Sequence, residues 1–419
     1  MEHYITEIRI DELRHLSNIV ISLNPDKRQH LIITGQNGSG KTSLLLAIQK
    51  YLRAINDGKL KMLYQLYDQR LAETQKRTED ADKADEMPES EKRVRAYEQR
   101  MKDYAYLQLV NEYVDGIELS FHDWEALEAL YKHGNFVTAF FAANRKTEII
   151  QAHGVEDIRL ADAYAVHEEP GKLFHKYMVH LKTQQSYAKS EGDLANAERI
   201  QKWFDRFTDA LKVLLDDNTI TLEYDYKRYD FKIHEKGRIP FGFQELSDGY
   251  SSVIHIVSDL ILRMDRNWLL GNDISEYDVE GIVLIDELET HLHIELQKKI
   301  LPFLTTFFPR IQFIVTTHSP YILNSVSNAK AYDLERCVEL DGLTLYSADA
   351  LAEGYFEADE YADELKQKIE RYKHLVEIEE PTEAERAERA RLRSELRGIP
   401  RGLSQEAKDK FEEIEGQRL

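Results

Sequence analysis

The 419-residue chain carries a formal net charge of −21, 42% hydrophobic residues and a single cysteine, Cys337. That balance supports a sizeable core, excludes an internal disulfide or a zinc site of several thiolates, and disfavours broad electrostatic binding to duplex DNA. No stretch approaches the roughly 18 apolar residues of a membrane span, and Met1–Tyr4 lack the regions of a secretory leader, so a cytoplasmic protein without a membrane partner is expected.

Ile5, Ile8 and Ile10, then Ile19, Ile21 and Leu23, flank a turn-like run at Arg14–Asn18, which predicts a β-hairpin. Leu31-Ile32-Ile33 reads as a short buried strand entering Gly35, and Ser43–Leu52 continues as a helix. Leu60, Tyr64, Tyr67 and Leu71 share heptad spacing, as do Val94, Tyr97, Met101 and Tyr104. The polar stretch Thr78–Ser90, with Pro88, suits the tip between them. A short antiparallel coiled-coil arm and a helical subdomain lying on the head both satisfy this pattern.

Ile117–Phe121 and Phe136–Ala142 read as strands. Gly171–Asp217 is largely helical, and Trp203, Phe204 and Phe207 fall on one apolar face, assigned to the core. Thr219–Tyr229 is β-branched and aromatic. Gly281–Ile285 and Ile311–Thr316 are continuous apolar strands, as in a sheet covered on both faces. After Asp349 the chain is charged and helical, and its stripe Leu365, Ile369, Tyr372 and Val376 predicts docking on another surface. The resulting division is a first head lobe at 1–58 and 112–170, a helical insertion at 59–111, and a helical subdomain at 171–217. A second head lobe follows at 218–350, then a charged helical region at 351–419.

Gly35-Gln36-Asn37-Gly38-Ser39-Gly40-Lys41-Thr42 fits the phosphate-binding pattern G-x-x-x-x-G-K-[ST], with a strand before it and a helix after. Glycines let the backbone wrap a phosphate chain. The amides of Gly35, Asn37, Gly38, Ser39, Gly40 and Ser43 and the helix N-terminus attract the anion. Lys41 neutralises phosphate charge, and the Thr42 hydroxyl suits Mg²⁺. A second element, the apolar strand ending at Asp286-Glu287, offers a carboxylate for Mg²⁺ (Asp286) and one to orient or deprotonate water (Glu287).

Leu246-Ser247-Asp248-Gly249 resembles the Leu-Ser-x-Gly signature of ABC-type ATPases, in the expected order before Asp286. The resemblance implies that Ser247 and Gly249 bind the γ-phosphate of ATP held by a partner subunit, and that His318, in Thr316-Thr317-His318-Ser319-Pro320, is a switch histidine. Asp286-Glu287-Leu288-Glu289-Thr290-His291-Leu292-His293 is similar to the run in RecF/SMC-like and overcoming-lysogenization-defect ATPases, with Leu288 in place of proline. There His291 and His293 are read as a subunit-contact loop rather than a metal site. The glutamine that helps bind Mg²⁺ in the family is missing from Phe140–Arg145; the resemblance to defence ATPases that carry an Ala-x-Arg type segment at this point implies Asn144 or Arg145 as the nucleotide contact there.

The resemblance implies an α/β fold: an ABC-type P-loop head with a mixed sheet, an inserted helical hairpin and a helical tail. It also implies an ATP-dependent head-to-tail dimer with Glu287, His318 and Lys41 catalytic. The acidic charge and charged tail resemble anti-phage defence ATPases of the Septu and PARIS systems, which answer a phage trigger through a separate nuclease. A DNA-repair or chromosome-structure ATPase that binds DNA is the alternative, and a transporter ATPase the weakest third.

Overall fold

The computed structural model describes residues 2–65, 101–145 apart from 102 and 105, 149–269, 279–340, 343–345, 347, 350–351, 363–378, 381–397 and 405–416. Contacts divide the chain into one unit at Met1–Thr344 and a second at Leu345–Leu419.

In the first unit, β1 (Ile5–Leu13) and β2 (Leu16–Ser22) form the expected hairpin. Its turn is only Arg14-His15; Arg14 takes the left-handed backbone (φ 56°) that so tight a reversal requires, and Asn18 lies within β2. β4 (Ile117–Phe121) pairs antiparallel with β1, giving the order β2-β1-β4. The main sheet contains β3 (His30–Thr34), β5 (Phe136–Phe141), β8 (Glu280–Ile285), β9 (Ile311–Thr316), β10 (Ala329–Asp333) and β11 (Val338–Leu340). Its order is β11-β10-β3-β9-β8-β5, parallel except for β10 with β11, so the sheet is mixed. β3, β8 and β9 are buried along their whole length, which is why they are rich in apolar residues.

α1 (Lys41–Asn56) starts at Gly40 and buries Leu44, Leu45, Ile48 and Leu52. Those side chains share one core with Ile8 and Ile10 of the small sheet and Ile33 and Leu284 of the large one. α2 (Leu127–Lys132) follows β4. α3 (Phe174–Glu191) and α4 (Leu194–Leu215) pack through Phe174, Trp203 and Phe207, which places the three aromatics of α4 in the core as expected. β6 (Thr221–Asp225) and β7 (Asp230–His234) form a separate hairpin.

α5 (Asp248–Leu269) is bolted to its surroundings. The buried Asp259 accepts from Gly171 N–H (2.9 Å) and from Arg263 Nε (2.6 Å). Arg263 also donates to the carbonyl of Thr138 on β5 (2.9 Å) and to that of Glu168. Deeper along α5, Asp265 accepts from Trp203 Nε1 (2.8 Å), and complete burial raises its carboxyl to about 7. α6 (Ile294–Phe307) then links β8 to β9.

The expected arm falls largely on residues 66–100, outside the described residues. The second unit holds α7 (Asp363–Glu377), α8 (Glu383–Arg397) and α9 (Gln405–Gly416). The tail's apolar stripe finds partners within this unit: Ile369 and Tyr372 are buried with Leu375, Leu392, Leu396, Phe411 and Ile414, and Leu365 and Val376 are partly buried against them. Among the described residues no helix is long and apolar enough to cross a membrane.

Candidate functional site

The loop between β3 and α1 turns on three glycines with positive φ: Gly35 (132°), Gly38 (88°) and Gly40 (98°). This is the conformation in which successive amides converge on an anion, and residues with a Cβ adopt it at a cost. The loop faces a cavity of about 230 Å³ lined by Arg14, His15, Asn37, Gly38, Gly40, Lys41, Thr42, Ser43 and Glu287. Lys41 is buried, and its ammonium donates to the carbonyls of Gly35 (2.8 Å) and Gln36 (2.9 Å). Burial lowers its pKa, against the opposing pull of Glu287, Glu289 and Asp286.

The parallel order brings the end of β8, one strand beyond β9, within reach of this loop. Thr42 Oγ1 donates to Asp286 Oδ2 (2.9 Å), which brings together the two groups expected to serve a metal. A threonine hydroxyl and a carboxylate are oxygen donors of the type magnesium selects. Glu287 sits one residue on, in the left-handed region (φ 45°). A glutamate there is strained, and such strain persists only where neighbours over-determine the backbone.

Those neighbours are residues whose roles the sequence did not disclose. Thr316, at the end of β9, donates from its hydroxyl to Asp286 Oδ1 (2.6 Å) and accepts from Glu287 N–H (2.8 Å). Glu289 accepts from the Thr317 hydroxyl (2.7 Å) and from His318 N–H (2.5 Å), tying the histidine loop to the loop after β8. The pKa of His318 is lowered by burial and by the charge of Lys41, which favours the neutral imidazole at pH 7. His318 Nε2 and Ser39 Oγ are buried without a hydrogen-bond partner, and neither residue is part of the cavity lining.

Arg145 is the plainest departure from expectation. Its guanidinium does not face the cavity but is buried behind the Asp286–Leu288 segment, donating to the carbonyls of Asp286 (2.7 Å) and Glu287 (3.0 Å). Burial pulls its pKa down to about 10. Asn144 is exposed and likewise absent from the cavity lining. Arg14 and His15 reach the cavity instead, and the His15 ring stands 3.2 Å from the Ser39 carbonyl. Only the tight turn at Arg14 brings them there, and nothing in their spacing announces it.

Ser247 and Gly249 lie outside this cavity. Ser247 is exposed and its carbonyl accepts from Ser251 N–H (2.9 Å), which makes it the N-cap position of α5. Gly249 is buried: a Cβ there would stand 2.6 Å from the His291 carbonyl oxygen. A glycine is therefore demanded by contact within the chain, between the start of α5 and the loop after β8. Among the described residues no cluster of three or more metal-binding side chains forms, at His291 and His293 or elsewhere.

The strand–loop–helix at 30–56 and the carboxylates ending β8 define a P-loop domain. Residues 31–324 match the family described as "AAA domain, putative AbiEii toxin, Type IV TA system", and the chain belongs to that family. Septu protein PtuA of Bacillus mycoides (strain KBAB4) is 29% identical over 164 residues, 36% of this chain and 22% of that protein. The "Retron Ec83 probable ATPase" of Escherichia coli is 35% identical over 103 residues, 25% of this chain and 19% of that one. The "Retron Vc95 probable ATPase" of Vibrio cholerae serotype O1 biovar El Tor is 44% identical over 84 residues, 20% and 16% respectively. The matched segments thus span a fifth or so of these relatives' own lengths. Among solved structures, an Smc head bound to the C-winged helix domain of ScpA aligns with a TM-score of 0.41 at 11% identity, over 82% of this chain and 100% of that one.

Proposed function

We propose that the chain binds and hydrolyses ATP with Mg²⁺ at this cavity, and that hydrolysis requires a second copy docked head to tail. The observation that carries the reading is the convergence of Lys41, Thr42, Asp286 and Glu287, contributed by α1 and by the end of β8, at one glycine-lined loop. Mg²⁺–ATP, when bound, supplies the phosphoryl group and a cation that offsets its charge. The loop amides and Lys41 hold the phosphates, exchanging the Gly35 and Gln36 carbonyls for an anion. Thr42 and Asp286 hold the metal. Glu287 takes up the proton of the attacking water, and neutral His318 contacts the terminal phosphate. Ser247 acts on a partner's phosphate; its exposure at the N-cap of a 22-residue helix, outside its own cavity, supports that reading.

The matches to Septu PtuA and the retron ATPases support the biological reading that we propose. The chain acts as a sensor in prokaryotic anti-phage defence, with nucleotide-dependent dimerisation controlling a separate effector, a nuclease, in response to a phage protein. In such a device the bound state carries the signal and slow turnover resets it.

Glu287→Gln tests the chemical core. It should retain ATP, lose phosphate release and accumulate the dimer on size exclusion. Unchanged phosphate release would overturn the role given to Glu287.

A further inference from the structure

We propose that Arg145 is the positioning residue that holds Glu287 in register with the signature helix, so that the start of α5 and the hydrolytic loop move as one body. The proposal rests on the ATPase reading above and deepens it.

A guanidinium has five N–H donors in a rigid planar fork. All five of Arg145's are engaged. Nε donates to Ser252 Oγ on α5 (3.0 Å). Nη1 donates to the carbonyls of Ala142 (3.2 Å) and Asp286 (2.7 Å). Nη2 donates to those of Glu287 (3.0 Å) and Leu288 (3.5 Å). Three consecutive carbonyls of the loop that carries Glu287 therefore converge on one side chain. The strained φ of 45° at Glu287 is the conformation that such over-determination would preserve.

The remaining bond gives the arrangement direction. Ser252 stands on α5 only five residues past Ser247, and Gly249 touches the His291 carbonyl region of the same loop. Two contacts thus join the start of α5 to the segment 286–291, one polar and one steric. A load applied at Ser247 has a short path to Glu287. A lysine could not reproduce this link, since an ammonium offers three donors from one point and cannot span Ser252 and three carbonyls. With no donor spare and no lone pair to offer, Arg145 also cannot take over the metal contact of the missing glutamine.

The test uses the full-length chain, with steady-state phosphate release and equilibrium binding of a fluorescent ATP analogue. Arg145→Ala and Arg145→Lys should each lower kcat about 100-fold, the cost of misplacing a catalytic group by about 1 Å. Analogue affinity should stay close to wild type, which separates positioning from nucleotide contact. Guanidinium chloride at low millimolar concentration should partly restore turnover to Arg145→Ala. If Arg145→Ala does not fold, Ser252→Ala removes the bond to α5 alone and should lower kcat in the same direction. Wild-type kcat in Arg145→Ala or in Ser252→Ala would overturn the proposal. So would a loss of analogue affinity equal to the loss of kcat. Absence of turnover in the wild-type chain would instead overturn the ATPase reading, and the proposal with it.

Discussion

Thr316→Val removes one oxygen from the middle of the site and leaves side-chain shape nearly unchanged. Thr316 is fully buried; its hydroxyl donates to Asp286 Oδ1 at 2.6 Å and accepts from Glu287 N–H at 2.8 Å. The first bond ends on a buried carboxylate, and a hydrogen bond to a charged group contributes about 1.5–3 kcal/mol. The second satisfies a part-buried amide, whose loss of a partner costs about 1 kcal/mol or more. The two share an atom and do not add fully, so destabilisation should be about 2–4 kcal/mol. Turnover should suffer more. Asp286 loses the partner that fixes its rotamer, and Glu287 loses one hold on a strained backbone, so a fall in kcat of about 100-fold is expected. Thermal denaturation and phosphate release measure the two effects separately, and Thr316→Ser, which restores the hydroxyl, should recover most of both. Wild-type stability and turnover in Thr316→Val would refute the account of how Asp286 and Glu287 are held.

Gly249→Ala would bring a Cβ to 2.6 Å from the His291 carbonyl oxygen, so the loop or α5 must shift. Overpacking of this kind costs about 1–3 kcal/mol, and both the melting temperature and phosphate release should fall. Asp265 gives a pH dependence. Between its ordinary 3.8 and about 7, the folded chain keeps a proton that the unfolded chain has released, so stability falls as pH rises through that window. Asp265→Asn should flatten this slope, which can reach about 1.4 kcal/mol per pH unit, and the comparison is a series of thermal melts from pH 5 to pH 8.

The parts of the site legible in the sequence are those written in consecutive residues. A glycine-rich loop between a strand and a helix, or an apolar run closing on two carboxylates, carries its geometry locally. The residues that hold those parts in place were not legible. Thr316 acts on Asp286 across 30 positions, and Arg145 on Asp286 across 141, through contacts that exist only once β5, β8 and β9 lie side by side. The sequence suggested Asn144 or Arg145 as a nucleotide contact, while folding buries Arg145 behind the loop. Gly249 shows the same limit: its pattern is local, but the His291 carbonyl that explains it is not. In the tail, periodicity picked out Ile369 and Tyr372, which are buried, and Leu365 and Val376, which are partly buried, and could not say that α8 and α9 would supply the cover.

The central claim is that one chain's Lys41 works with another chain's Ser247, and mixing two inactive variants tests it directly. Lys41→Ala should abolish nucleotide use in its own cavity, and Ser247→Arg should block the partner's. A mixed dimer would contain one doubly damaged site and one intact site. With random pairing, half the dimers are mixed and half of their sites are intact, so mixing should restore roughly a quarter of wild-type phosphate release. Turnover by Ser247→Arg alone at the wild-type rate, or no recovery on mixing two folded, dimer-competent variants, would contradict the shared site.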